Sequence, residues 1–520
     1  MQKHDNFLDT AKKKSASIMQ QYLQTKVDYP EQPLLYRIAK RDIDVNRWGV
    51  NYPPVLKNAR LLTNNCLYDT FTLQYKYFKA FDMQEEIKSL DIQRLISNKQ
   101  WELLKRLISE AETPEQIASL LQGMAQKNEG EGPTKGTNAL WMLAYFAQWD
   151  TLNAVIQKAR IPEQITSLLQ GMAQKKEGER CDKGINALWL LANNEQSDTL
   201  NTVIQKATTP EQINVLLQGM AQKVEGEGPN QGTNTLWWLA VHKQWDTLNT
   251  VIQKATTPEQ INVLLQAMAQ AAESEGPSQG KNTLWWLAHN EQWDTLNTVI
   301  QKATTPEQIN VLLQAMAQKP EGEEVVCNIG TNTLWWLAYN GQSDTLNTVI
   351  NKATTPEQII VLLQGMAQKN EGEGPNQGKN AFSIIVFQNN NRDLLKDMGT
   401  KAKTVIQETE KETREAEITG NEEEKDRLEN QVNEIRDLVF SMFNTHKQPH
   451  PLVALCTQDP PQHELVQLFG SMLPKKPKTE SLWAYVRAKI RTPLTNSMLK
   501  ILDRMYAAIT QPLWDKTNSF

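Results

Sequence analysis

Between residues 234 and 270 the apolar positions fall into three groups, each with helical spacing. Leu236, Leu239 and Ala240 stand at i, i+3 and i+4 and share one face of a first helix. Leu248, Val251, Ile252 and Ala255 repeat that spacing after Gln244, and Asp246 lies near the positive end of this second helix. A third helix is predicted from Thr257: threonine at the N-cap, Pro258 at N1 and Gln260 at N3 complete a capping box. Ile261, Leu264, Leu265 and Met268 form its apolar stripe. The polar, Gly- and Pro-containing run from Glu273 to Gly280 then ends the helix and turns the chain. One unit is therefore three short helices and a loop.

The unit recurs. Its proline returns at Pro114, Pro162, Pro210, Pro258, Pro306 and Pro356, at a spacing of 48 residues until the last interval of 50. The two extra residues lie in the loop from Glu321 to Gly330. Isolated helices of about 10 residues are marginal in water. One unit cannot cover its own apolar faces, so neighbours must stack. The expected fold is an all-α solenoid of about six three-helix repeats, with helical flanks at both ends. Four segments follow: 1–89, a mostly helical N-terminal cap; 90–390, the array; 391–447, a charged helical hairpin; and 448–520, a basic helical region.

The phrase Asn-Thr-Leu-Trp-Trp-Leu-Ala, a short turn, then Asp-Thr-Leu-Asn-Thr-Val-Ile resembles the helix pair of an ankyrin repeat. The unit lacks the usual Thr-Pro-Leu-His, is longer than the usual ~33 residues and adds a third helix. Near-identical tandem copies with unfamiliar flanks also resemble effector proteins that Legionella-type intracellular bacteria deliver into host cells. That resemblance implies a binding protein with a host partner.

Tryptophans mark the copies. Trp141, Trp189, Trp237, Trp285 and Trp335 recur in every full copy, whereas the next position reads Met142, Leu190, Trp238, Trp286 and Trp336. A further series, Trp101, Trp149, Trp245 and Trp293, gives way to Ser197 and Ser343. Adjacent helical residues cannot face the same way. The recurrent position is expected to pack between helices and the varying ones to reach a surface or groove. Tryptophan is favoured at binding hot spots. The candidate partner-binding residues are Trp238, Trp286, Trp336, Trp245 and Trp293.

The flanks carry the remaining chemistry. Residues 1–90 include a helix predicted over Phe7 to Lys26 and an aromatic run from Tyr68 to Phe81, suited to sealing the first repeat. Cys66 is a candidate nucleophile, but no His lies between His4 and His242 to serve as its base. His446, His450, Cys456 and His463 match no tight pair of zinc ligands. Leu428, Val432, Ile435, Leu438, Val439 and Met442 form an apolar stripe after the break at Gly420-Asn421, hence a hairpin. From Lys475 to Lys516 there are nine Lys or Arg against three acidic residues, with Trp483, Tyr485 and Trp514 among them. Lys475, Lys476, Lys478, Arg487, Lys489 and Arg491 are candidate lipid contacts, or contacts for an acidic protein face.

The formal charge of −5 does not indicate a surface for nucleic acid. No run of about 18 apolar residues predicts a membrane span, and the N-terminus lacks the apolar core of a signal peptide. Four distant cysteines suit a reducing cytoplasm; the effector resemblance would extend this to the cytosol of a host. The glutamate-rich loops lack the ligand pattern of a calcium loop and are expected to be solvated turns. No nucleotide, hydrolase or metalloprotease motif is present, so no metal or cofactor is expected. These observations favour a non-enzymatic protein-protein interaction scaffold. Two alternatives stay open: an enzyme with its chemistry in the flanks, and a peripheral membrane adaptor using the basic C-terminal helices.

Overall fold

The computed structural model describes residues 92–472 apart from 98, 100, 130–133, 179–180, 321–329, 373–375, 390 and 444–462. The chain forms two compact units, Met1–Ser89 and Leu90–Phe520. The expectations for Phe7 to Lys26, Cys66, Tyr68 to Phe81, His446, His450, Cys456 and the basic segment fall outside the described residues. Among the described residues there is no strand, only three isolated bridges such as Ala271 with Asn282.

Helices stack in layers of three, called A, B and C in chain order. The layers are α1 (Ile92–Ser97), α2 (Trp101–Glu110) and α3 (Pro114–Ala125); α4 (Ala139–Tyr145), α5 (Trp149–Lys158) and α6 (Pro162–Ala173); α7 (Ala187–Asn193), α8 (Ser197–Lys206) and α9 (Pro210–Ala221). They continue with α10 (Thr235–Val241), α11 (Trp245–Lys254) and α12 (Pro258–Ala269); α13 (Thr283–His289), α14 (Trp293–Lys302) and α15 (Pro306–Ala317); α16 (Thr333–Tyr339), α17 (Ser343–Lys352) and α18 (Pro356–Ala367). Each A helix packs on the next A, each B on the next B and each C on the next C. The tandem helical stack expected from the 48-residue period is therefore the observed architecture.

The seventh layer is built differently. α19 (Ala381–Ile384) runs into a π-helical turn, Ile385–Asn389, and is followed by the long helices α20 (Arg392–Thr419) and α21 (Glu422–Phe443). Gly420, at φ 72°, supplies the left-handed C-cap between them. α20 packs beside α17 and α21 beside α18, so the hairpin continues rows B and C. α22 (His463–Gly470) then packs on α20. The apolar stripe read on α21 is the buried one: Leu428, Val432, Ile435, Val439 and Met442 are inaccessible and Leu438 packs against them.

Four side chains per copy tie the helices together, the first within a layer and the other three between neighbouring layers. The first is the asparagine that starts helix A. Asn234 accepts a hydrogen bond at Oδ1 from the Trp237 amide, at 2.9 Å, as an N-cap should. Its Nδ2 also donates to the Ala267 carbonyl and to Gln270 Oε1, both at 2.7 Å, which ties helix A to the end of helix C. Asn138, Asn186, Asn282 and Asn332 repeat this arrangement. In the last layer Asn380 donates instead to the Met442 carbonyl of α21, which takes the place of helix C.

The second is the recurrent tryptophan. Trp237 Nε1 donates to the Lys281 carbonyl of the next layer at 2.8 Å, and Trp285 Nε1 donates to that of Thr331 at 2.8 Å. The third is the capping-box glutamine. Gln260 Oε1 accepts from the Thr257 amide, while its Nε2 donates back to the Pro210 carbonyl one layer earlier. The fourth is the lysine that ends helix B. Lys254 Nζ donates to the Ala207 carbonyl of the preceding copy at 2.6 Å, completing that helix's C-terminus. Burial holds the ammonium pKa of the equivalent Lys206, Lys302 and Lys352 below the usual lysine value.

Row C is the closest-packed row. A Cβ built on Gly171 would stand 2.8 Å from the Ala125 Cβ of the layer before. Ala267 and Ala315 occupy this register in later copies and are buried there, so those pairs of helices fit a methyl group.

Candidate functional site

The copies differ mainly in two places, the C-to-A loop and the turn from helix A to helix B. At the turn they read Tyr-Phe-Ala-Gln-Trp from Tyr145, Asn-Asn-Glu-Gln-Ser from Asn193, Val-His-Lys-Gln-Trp from Val241, His-Asn-Glu-Gln-Trp from His289 and Tyr-Asn-Gly-Gln-Ser from Tyr339. The backbone hardly changes. The third residue of each turn is left-handed, with φ of 54° at Ala147, 58° at Glu195, 57° at Lys243, 59° at Glu291 and 67° at Gly341. One surface thus displays different side chains on a repeated backbone.

A left-handed backbone costs a residue with a Cβ about 1 kcal/mol. Glu291→Gly should therefore stabilise the array by about 0.5–1 kcal/mol in urea unfolding, with Gly341→Glu losing a similar amount. No gain on Glu291→Gly would show that the turn is unstrained.

The aromatic side chains along this A–B edge form a continuous series. Trp238 is half-buried and meets Trp237 edge-on, at 5.0 Å between centroids and 86° between planes. It also meets Trp189 of the preceding copy at 5.6 Å. Trp286 repeats this against Trp285 at 5.1 Å and Trp237 at 6.3 Å, and Trp336 against Trp335 at 5.3 Å and Trp285 at 6.3 Å. Edge-to-face pairs of this kind contribute about 0.5–1.5 kcal/mol beyond area burial. The varying tryptophans therefore bind neighbouring layers together as well as reaching the surface.

The structure does not treat the five candidate tryptophans alike. Trp238, Trp286, Trp245 and Trp293 are half-buried and packed against the core. Trp336 is only 9% exposed and supports the edge from behind. Two residues not singled out in the sequence are more open: Tyr145 is 54% and Tyr339 41% exposed. Both stack flat on the recurrent tryptophan one turn earlier, Tyr145 on Trp141 at 4.8 Å and Tyr339 on Trp335 at 5.0 Å. Their i, i+4 spacing from that tryptophan was the sequence signal for them.

Polar groups interleave with the rings. His242 stacks on Trp238 and places Nδ1 3.2 Å from Glu195 Oε1 of the previous copy. Lys281 is buried, with Nζ 4.5 Å from the Trp285 ring centroid and 5.4 Å from that of Trp286, a cation–π arrangement.

At the C-to-A loops, several glutamates are held more firmly than solvated turns require. Lys175 pairs with Glu225 at 2.5 Å, Lys223 with Glu273 at 2.7 Å and Lys319 with Glu371 at 2.6 Å, and Lys127 pairs with Glu177. Each rung joins adjacent copies. The Lys175 hydrogen bond holds the Glu225 carboxyl below the usual carboxylate range. These pairs are exposed, so each adds little to stability.

Among the described residues no group of three or more His, Cys, Asp or Glu is arranged to hold a metal ion, and no helix is long and apolar enough to cross a membrane. Lys475, Lys476, Lys478, Arg487, Lys489 and Arg491 lie outside the described residues.

No known family model matches the chain, and no curated protein matches it. Among solved structures it is matched to a protein described as a circular tandem repeat protein with novel repeat topology and enhanced subunit contact surfaces. That match has 11% identity and a TM-score of 0.27, over 84% of this chain and 92% of the other.

Proposed function

We propose that the array is a non-enzymatic protein-interaction scaffold and that a partner meets it along the A–B edge. The observation that carries this reading is the variation among otherwise near-identical copies. The described parts of helices B and C are almost invariant from Asn186 to Ala367, while the A–B turns change identity on an unchanged backbone. Trp238, Trp286, Trp245 and Trp293 supply half-buried rings at this edge, and Tyr145 and Tyr339 supply exposed ones. Large, stiff aromatic groups give contact area at low entropic cost. The ankyrin-like look of the A–B pair agrees with such a role. The likeness of the tandem copies to Legionella-type effectors would make the partner a host protein.

The chain contains its own control substitutions. Serine replaces the helix-B tryptophan at Ser197 and Ser343, and leucine replaces the varying tryptophan at Leu190. A full-length variant carrying Trp238→Leu, Trp245→Ser, Trp286→Leu and Trp293→Ser should keep its helical circular dichroism. Its retention of partners from a host lysate, or from the lysate of the producing organism, should fall by about tenfold or more, as loss of hot-spot tryptophans does. Undiminished capture by this folded variant would rule out the A–B edge as the partner surface.

A further inference from the structure

Beyond the array, the α20–α21 hairpin carries an excess of negative charge. Residues 408–437 include twelve carboxylates and five basic side chains. Four of the five basic ones are already engaged: Arg436 pairs with Glu410, Lys411 with Glu415, Lys425 with Glu417 and Glu422, and Arg427 with Glu424 and with Glu357 of α18. Glu408, Glu412, Glu423, Asp426 and Asp437 are exposed and make no ion pair among the described residues. Glu408 and Glu412 stand at i, i+4, one turn apart on the same side of α20. Beside this surface, Glu410, Glu429, Asn433 and Arg436 contribute to the lining of an open polar cleft of about 340 Å³ between the two helices.

The chain supplies a segment of opposite charge that starts near this surface. α22 is anchored on α20. Leu468 and Phe469 approach Gly399, Phe469 meets Phe382 edge-on at 5.5 Å, and Lys396 pairs with Glu464 at 2.8 Å. Met472, the last described residue, is buried. Lys475 follows three residues later and opens the segment with nine Lys or Arg against three acidic residues. From Gly399 to the tip of the hairpin is about 30 Å along α20 at 1.5 Å per residue. The basic segment has 42 residues and spans about 60 Å even as one continuous helix, so it can cover that distance.

We infer that the basic segment, residues 475–516, docks on the acidic outer surface of the α20–α21 hairpin of its own chain, across the exposed carboxylates of Glu408, Glu412, Glu423 and Asp426. The pairing joins two surfaces of opposite sign on one chain, at the effective concentration a short tether provides. It also keeps the basic segment from anionic lipid. Arg427, from within the hairpin, makes the same type of contact when it reaches across to Glu357.

Zero-length carbodiimide cross-linking of the full chain, read by mass spectrometry, tests this. Amide links are expected from Lys475, Lys476, Lys478, Lys489 or Lys500 to Glu408, Glu412, Glu423 or Asp426. A second full-length protein carrying Glu408→Gln, Glu412→Gln, Glu423→Gln and Asp426→Asn, all at exposed positions, should release the segment. It should then sediment with phosphatidylserine-containing vesicles about tenfold more than the parent, as exposure of several basic residues allows. Tail lysines linked only to acidic residues elsewhere would overturn the inference. Equal sedimentation of parent and variant would overturn it too: at a high level it would make lipid the segment's partner, and at a low level it would show that the hairpin masks nothing.

Discussion

Trp237→Ala should lower the stability of the array by about 3–5 kcal/mol, the range for truncating a buried tryptophan. Trp237 is 4% exposed and fills the space between two layers. Its ring carries edge-to-face contacts with Trp238 of its own copy and Trp286 of the next. Its N–H reaches the carbonyl of Lys281, immediately before the next helix A begins. Truncation would empty the junction and remove that bond together. Trp237→Phe separates the two effects: it keeps an aromatic ring and loses the donor, so it should cost about 1–2 kcal/mol. Urea unfolding followed by circular dichroism at 222 nm measures both. A loss under 1 kcal/mol for the alanine variant would mean that the layers are not joined through this ring.

Asn234→Ala should cost about 3–4 kcal/mol, more than the ~1 kcal/mol of an ordinary N-cap. Asn234 is fully buried and makes three hydrogen bonds, to Trp237, Ala267 and Gln270. Alanine leaves a buried amide, a buried carbonyl and a half-buried glutamine oxygen with those bonds lost. Asn234→Asp retains the acceptor for the Trp237 amide but turns a carboxylate oxygen toward the Ala267 carbonyl and Gln270 Oε1. It should therefore be no better than alanine at neutral pH. A cost for alanine near 1 kcal/mol would reduce Asn234 to a simple cap.

The sequence and the structure agree wherever the cause is local. The capping box at Thr257 and Gln260, the stop at Gly420 and the apolar stripes follow from residues within one or two turns of each other. What the sequence concealed was the second use of the same side chains. Asn234 is an N-cap in the structure, and its amide nitrogen also reaches a carbonyl 33 residues on. Gln260 reads as N3 of a capping box, yet it also donates to a carbonyl 50 residues back. Glu273 lies in a loop expected to be solvated, yet it is fixed to a neighbouring copy, as is Lys254 at the end of helix B. Local periodicity has no access to such pairings, because the partner is set by how helices pack within a layer and between one layer and the next. A clue was available: these polar residues persist through copies whose A–B turns change freely. The candidate surface was partly legible for a related reason. Variation picked out the half-buried tryptophans, but depth below the surface, as at Trp336, depends on the neighbouring layer.

The links contributed by asparagine, recurrent tryptophan, capping-box glutamine and terminal lysine never skip a layer. A deletion or duplication of one whole 48-residue unit would leave every donor an equivalent acceptor, so unequal recombination between the nearly identical coding segments could shorten or lengthen the molecule without rebuilding its interior. The number of A–B turns on display is then open to change in single genetic events.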